Sequence, residues 1–288
     1  MNVVSFSGGR TSAYLVYLME QMRVNNSFEV EYIFMDTGAE HPETYTFVRN
    51  IVKHWKIKLT CLRSETHFIK GKGNTFKVVG LDEIGPDLKP FADMAKKYGM
   101  PSVLMPHCTG HLKTIPFKKY CEQKYGKGNY ITWLGIRADE PRRLKKLDGF
   151  QYIADISDFT SDDVLYWWKE QIFDLGFDIN SGWMGNCVFC HKKSPAKIAL
   201  AMMDEPEMLA DFEAMISSKE TRQLGYVEKD KIYRKGFTTK DIQTIYEETE
   251  RVDIIARLKH SKRFDTGSCS ESCETFGEQM DLIDIINE

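Results

Sequence analysis

Between Val3-Val4-Ser5-Phe6 and Ala13-Tyr14-Leu15-Val16-Tyr17-Leu18-Met19 lies Ser7-Gly8-Gly9-Arg10-Thr11-Ser12, and this junction constrains the chain more than any other stretch. The first run is β-branched and aromatic and reads as a buried strand; the last reads as a helix. A strand joined to a helix by a small-residue turn makes an anion site. The glycines let the backbone approach an oxyanion, the unpaired amides of the first helical turn point at it, and the helix dipole favours its charge. Ser7, Thr11 and Ser12 add hydroxyls, and Arg10 is a candidate phosphate clamp, since its fork suits bidentate contact. The spacing is not the Walker pattern, which needs Lys-Ser/Thr after a longer loop. An ordinary tight turn with a capping serine is the alternative reading of these six residues.

The same alternation continues through the first half. Glu29–Phe34 and Ile57–Leu62 read as strands, Pro42–Trp55 as the helix between them, and Asp36-Thr37-Gly38 as the turn closing the second strand. His111–Tyr125 reads as a helix, Tyr130–Ile136 and Gln151–Ile156 as strands, and Val164–Ile172 as an aromatic helix capped by Thr160-Ser161-Asp162-Asp163. Residues 63–105 look irregular, broken by Lys70-Gly71-Lys72-Gly73 and Gly85-Pro86, which suggests a functional loop or lid. Strands separated by helices predict a Rossmann-like parallel α/β sheet with helices on both faces and ligands at the carboxyl ends of the strands. Near Asn180 the pattern changes to Gly182, Gly185, a Cys-x-x-Cys and the helical stretches Pro195–Met203, Pro206–Ser218 and Thr239–Glu250. The expected division is therefore a nucleotide-binding domain over 1–180 and a mainly helical region over 181–288.

With 288 residues, 42% of them hydrophobic, the chain can bury a large core. It has no apolar run of the roughly 18–20 residues that cross a membrane, and it enters a strand without a signal-peptide pattern. A cytoplasmic location is the expectation. The net charge of -3 argues against a globally basic nucleic-acid binder. The stretch His111–Lys146 nevertheless carries ten Lys/Arg against three Asp/Glu, so it could face phosphates or form a solvated surface.

The seven cysteines, in a reducing compartment, suit metal ligands or thiols better than disulfides. Cys187-x-x-Cys190 lies in a Gly/Asn-rich turn, a geometry in which two thiolates meet one metal centre. Zinc held by Cys187, Cys190, Cys269 and Cys273 is one reading, free thiols another, and His191 could replace a tail cysteine. Cys61 and Cys121 read as core residues. So do Tyr166, Trp167 and Trp168, with a base-stacking platform as the alternative.

Five motifs in order resemble the phosphoadenosine phosphosulfate (PAPS) reductase family of the PP-loop, adenine nucleotide alpha-hydrolase-like superfamily. They are Ser7–Ser12, similar to its SGGxDS loop; Phe34–Thr44, similar to D-T-G-x-x-x-P-E-T; Cys108–Pro116; Leu134–Arg143; and Cys187–Cys190. The last three look particularly like the DNA-phosphorothioation sulfurtransferases. Thr11 stands where many members carry Asp, and the Cys-Gly-Leu-His tail of assimilatory reductases is missing.

The resemblance implies an enzyme that binds ATP or PAPS through Ser7, Gly8, Gly9, Arg10, Thr11, Ser12, Asp36, Thr37 and Gly38. Asp36 and Thr37 would contact adenine, ribose or a cation such as magnesium, or simply form an Asx turn. Lys113 and Arg137 match basic residues near the anionic end of the nucleotide. A loose transition state at phosphorus or sulfur needs such fixed cations more than acid–base groups. Cys108 matches a reactive or ligating position. With Cys187, Cys190 and Cys273 it would hold a four-iron, four-sulfur cluster, with zinc the competitor. Three functions compete: reductive release of sulfite from an activated sulfate, ATP-dependent sulfur transfer to a nucleic acid or from a sulfur-donor protein, and non-catalytic nucleotide binding with structural cysteines.

Overall fold

A computed structural model of the chain describes residues 1–26, 28–177, 183–225 and 228–260, with the side chains of Lys259 and His260 excepted. Its centre is one six-stranded sheet in the order β4-β3-β2-β1-β5-β6. The strands are β1 (Asn2–Phe6), β2 (Val30–Asp36), β3 (Leu59–Glu65), β4 (Thr75–Val79), β5 (Ile131–Leu134) and β6 (Phe150–Tyr152). All neighbours pair in parallel except β3 and β4. The chain winds outward from β1 through β2 to β3, then returns to the other side of β1 as β5. The order therefore reverses at the β1/β5 boundary, where ligands of such sheets bind.

Strand periodicity explains the two-sided burial. Val4, Phe6, Tyr32 and Phe34 point to one face with α1 (Arg10–Asn26), α2 (Pro42–Trp55) and α5 (Ser161–Lys169). Val3, Ile33, Met35 and Leu62 point to the other, where α4 (Ile115–Tyr125) supplies Phe117, Tyr120 and Cys121. Each large apolar side chain buried this way contributes about 1.5–3 kcal/mol. Trp168 is wholly buried against Trp55 and Phe47, and Cys61 and Cys121 are core residues. Tyr166 is exposed, while Trp167 stacks obliquely on Tyr14 and Tyr17.

Residues 63–105 are more regular than the sequence suggests. β4 adds an antiparallel edge, and α3 (Lys89–Tyr98) starts with Pro90 in its first turn, a position that proline tolerates because the first amides have no helical partner. The punctuation at Gly85-Pro86 precedes the helix instead of excluding it. The helices α6 (Pro195–Asp204), α7 (Pro206–Ser217), α8 (Thr239–Tyr246) and α9 (Arg251–His260) follow. The C-terminal region shares a core with α3 and with Ala39 beyond β2, through Phe91, Met94, Ile198, Leu200 and Phe212. Among the described residues no helix is long and apolar enough to cross a membrane.

Candidate functional site: a nucleotide loop beside a cysteine pocket

The loop after β1 is held by its own hydroxyls. Ser12 Oγ lies 2.9 Å from Ser7 Oγ, accepts from the Ser7 amide at 3.2 Å and donates to the Gly9 carbonyl at 3.0 Å. Gly8 has φ +80°, and a Cβ there would sit 2.7 Å from Thr44 Cγ2, so both the turn and its packing on α2 require glycine. The first turn of α1 contains no acidic residue, which leaves its positive end uncompensated by side chains. Arg10 is engaged by Asp174: Nε and Nη2 donate to the carboxylate at 2.8 and 2.9 Å, and Nη2 also reaches the Leu175 and Phe177 carbonyls. It straps the 174–177 segment across the start of α1.

Across the β1/β5 boundary, Arg137 is 3% exposed and donates from Nη1 to Thr11 Oγ1 at 3.0 Å. Its Nε donates to Asp139 at 2.9 Å, and Glu140 lies 3.6 Å away. Thr11 thus accepts from a guanidinium that Asp139 and Glu140 already balance, where an aspartate would add a third carboxylate. The following loop leaves Arg142, Lys145 and Lys146 exposed, whereas Arg143 pairs with Glu140.

At the end of β2, Asp36 is fully buried. Its carboxylate accepts from the Gly38 amide at 2.8 Å, Tyr45 hydroxyl at 2.9 Å and Arg63 Nε at 2.6 Å. Burial, with the nearby Glu40, pushes its acid up to about 6, against the pull of Arg63. This is the Asx turn anticipated at that position. Gly38, at φ +74°, lets Leu88 N–H reach its carbonyl at 2.9 Å.

Glu40 accepts from Thr37 Oγ1 at 2.7 Å and faces Lys113 Nζ at 3.2 Å, with both side chains buried. Lys113 owes its position to a π-turn, Gly110–Thr114, in which the Ile115 amide bonds the Gly110 carbonyl five residues back. Pro116 cannot donate to Leu112, so the usual ladder is already broken there. The His111 carbonyl, released from the ladder, accepts from Ser64 Oγ at 2.8 Å and Asn74 Nδ2 at 3.2 Å.

The cysteine loop abuts this turn. Glu40 and Cys187 form an antiparallel bridge, the Val188 amide donates to the Ala39 carbonyl at 3.0 Å, and Thr37 Oγ1 lies 3.7 Å from Cys187 Sγ. Cys108, Cys187 and Cys190 line one small, mostly apolar pocket with His191, Phe91 and Phe212. Burial pushes the His191 imidazolium down to about 3, so its ring is neutral, and its buried Nε2 has no hydrogen-bond partner.

Among the described residues no three His, Cys, Asp or Glu side chains are arranged to hold a metal ion. A single ion draws its ligands to within about 2.3 Å of one point. Three thiols and an unsatisfied imidazole lining one pocket are soft donors of the kind that iron–sulfur groups take. Cys269 and Cys273 lie outside the described residues.

Of the residues singled out in the sequence, Ser7–Ser12, Asp36–Gly38 and Arg137 follow the carboxyl ends of β1, β2 and β5, while Lys113 and Cys187 pack against Glu40 in the turn after β2 and Cys108 and Cys190 share the pocket with Cys187. Sequence reading does not anticipate Glu40, Tyr45, Arg63 or Asp174. Only Glu40 had a local signal, its place inside the motif that begins at Phe34.

A family model described as Phosphoadenosine phosphosulfate reductase domain matches residues 1–78. The chain is 49% identical over 287 residues to the uncharacterized nin region protein ORF290 of Escherichia phage lambda, covering 98% of this chain and 97% of that protein. It is 28% identical over 138 residues to an uncharacterized protein of Methanocaldococcus jannaschii, covering 48% of this chain and 23% of that protein. With a strand–loop–helix turn at the point where the sheet order reverses, and with the family model spanning that turn, the chain belongs to the phosphoadenosine phosphosulfate reductase family of the PP-loop superfamily.

Proposed function

We propose that this protein is an enzyme that binds an adenine nucleotide, ATP or PAPS, at the Ser7–Ser12 loop and couples it to sulfur chemistry at a cysteine-bound iron–sulfur centre. The observation that carries this reading is the seam between the two features. Cys187 is bridged to Glu40 and lies 3.7 Å from Thr37, in the turn that follows Asp36. A nucleotide whose phosphates meet the first turn of α1 has its sulfur-bearing or reactive end on the side of these thiols.

In this reading the amides and hydroxyls of Ser7, Gly8, Gly9, Thr11 and Ser12 hold phosphate, and Asp36 and Thr37 position the nucleoside. Arg137 and Lys113 set fixed positive charge where charge develops in the transition state. Both are buried and braced by carboxylates, so they need little reorganisation during reaction. Cys108, Cys187 and Cys190 hold the centre, which when bound supplies a site for sulfur or electrons. The exposed Arg142, Lys145 and Lys146 beside Arg137 favour a second reading, ATP-dependent sulfur transfer to a nucleic-acid acceptor.

Anaerobic incubation of the full chain with ATP and, separately, with PAPS under reducing conditions decides between these. Sulfite from PAPS is expected for the reductive route, and pyrophosphate with AMP from ATP for the transfer route. Binding of either nucleotide without any product would leave a binding module and overturn the enzymatic reading.

A further inference from the structure

His191 belongs to the same pocket wall as the three cysteines and follows Cys190 directly. It is 3% exposed, and its Nε2 bonds nothing. An unsatisfied buried polar nitrogen carries a desolvation cost, and a bound ion is one of the partners that accounts for such a group in a native chain. His107 and His111 also have an unpartnered nitrogen each, but neither lines this pocket; His111 stacks on Tyr98 with ring centres 3.8 Å apart.

The loop around His191 is built to stay put. The Cys190 amide bonds the Cys187 carbonyl at 3.2 Å, and the Lys193 amide bonds the Cys190 carbonyl at 3.0 Å, giving consecutive tight turns. Lys193 is 1% exposed, and its ammonium turns inward to the carbonyls of Trp183 and Val188. A buried lysine spent on fixing carbonyls holds the backbone of Cys187–Lys193 from within. Rigid backbone with outward-facing soft donors is what a preorganised ligand set requires.

We infer that His191 is the fourth protein ligand of the metal centre held by Cys108, Cys187 and Cys190, so that the tail cysteines Cys269 and Cys273 are not needed to complete it. The inference rests on the reading that these three cysteines bind a metal centre. Replacing one thiolate by a neutral imidazole removes a negative charge from the ligand set and raises the potential of an iron–sulfur centre.

The test is anaerobic reconstitution of the full chain with iron and sulfide, followed by metal and sulfide analysis and pulsed EPR of the reduced protein. The Cys269→Ser/Cys273→Ser double variant should keep wild-type iron content and spectrum. His191→Ala should lose at least roughly 10-fold in metal affinity, with circular dichroism and ATP binding as controls of folding. His191→Cys should restore binding, lose the nitrogen hyperfine coupling of the wild type and shift the midpoint potential downward. If His191→Ala does not fold, His191→Cys still decides: an unchanged spectrum overturns the inference.

Iron retained in His191→Ala but lost in the tail double variant also overturns it. Zinc held in a His191-dependent way supports the ligand and sinks the iron–sulfur reading alone. A wild-type chain that takes up neither iron nor zinc sinks both.

Discussion

The nucleotide loop and the cysteine pocket lie side by side yet treat their polar groups in opposite ways. At the loop end the buried charges are paired: Arg137 with Asp139 and Glu140, Lys113 with Glu40, and Asp36 with Arg63. Around the cysteines the surroundings are apolar, from Phe91, Met100, Phe212 and Ile232, and the histidine nitrogen is left unsatisfied. The first region is balanced internally and can bind an anion through backbone amides without rearranging its charges. The second, on the proposed reading, takes a guest to complete it. Ligand binding should therefore change stability most at the cysteine pocket. A metal centre should stiffen the pocket strongly, while a nucleotide should add to a region that is already ordered.

The largest effect is expected from unbalancing the loop end. Lys113→Met leaves Glu40 as an uncompensated buried charge and should cost about 3–5 kcal/mol in chemical denaturation. The double variant Lys113→Met/Glu40→Gln removes both charges and should recover most of that loss. A single variant within about 0.5 kcal/mol of wild type would show that Lys113 is not held by Glu40 in solution, and the idea of a pre-balanced site would fail.

Much of the loop end was legible because its determinants are local. Ser7–Ser12 and Asp36–Gly38 encode their own turns through small residues and a side-chain oxygen that bonds two residues on. Cys187-x-x-Cys190 is equally local. What could not be read are pairings across the fold. Asp174 meets Arg10 from 164 residues away, and Arg63 reaches Asp36 only because β3 pairs beside β2. The π-turn at Gly110–Thr114 hides within a stretch that reads simply as helix. Pro116 was its one local signal, since it removes the amide that an α-helical turn would need. β4 had a signal too, in Thr75-Phe76-Lys77-Val78-Val79, but Gly71 and Gly73 just before it make the stretch look like loop. Which tail cysteine, if any, joins the pocket is a long-range question of the same kind.

A smaller effect should follow from Asp36. Its acid is raised to about 6 in the folded chain, chiefly by burial, against 3.8 for the ordinary group. Between those values the unfolded chain has released the proton and the folded chain still holds it, so stability falls as pH rises from about 4 to 6 and is level above that. The shift corresponds to about 2–3 kcal/mol. Urea titrations across this range should show the slope in wild type and a flatter profile in Asp36→Asn. An identical slope in both proteins would mean that other groups carry it.

The smallest expected effect concerns Arg10, and it tests whether the loop end is truly self-contained. Its guanidinium makes two contacts to Asp174 and two to backbone carbonyls, with the arginine side chain 13% and the aspartate 30% exposed. A residue used this fully is a strap for 174–177, and its loss should cost stability before it costs affinity. Arg10→Met and Asp174→Asn should each destabilise the protein by about 1–2 kcal/mol, with a coupling of similar size in the double variant. ATP affinity in Asp174→Asn should stay within about twofold of wild type, because the amides of α1 are untouched. The opposite pattern would be telling. If Asp174→Asn tightens nucleotide binding while Arg10→Met weakens it, Arg10 is a phosphate clamp that Asp174 holds in reserve. The loop end would then be completed only when its ligand arrives.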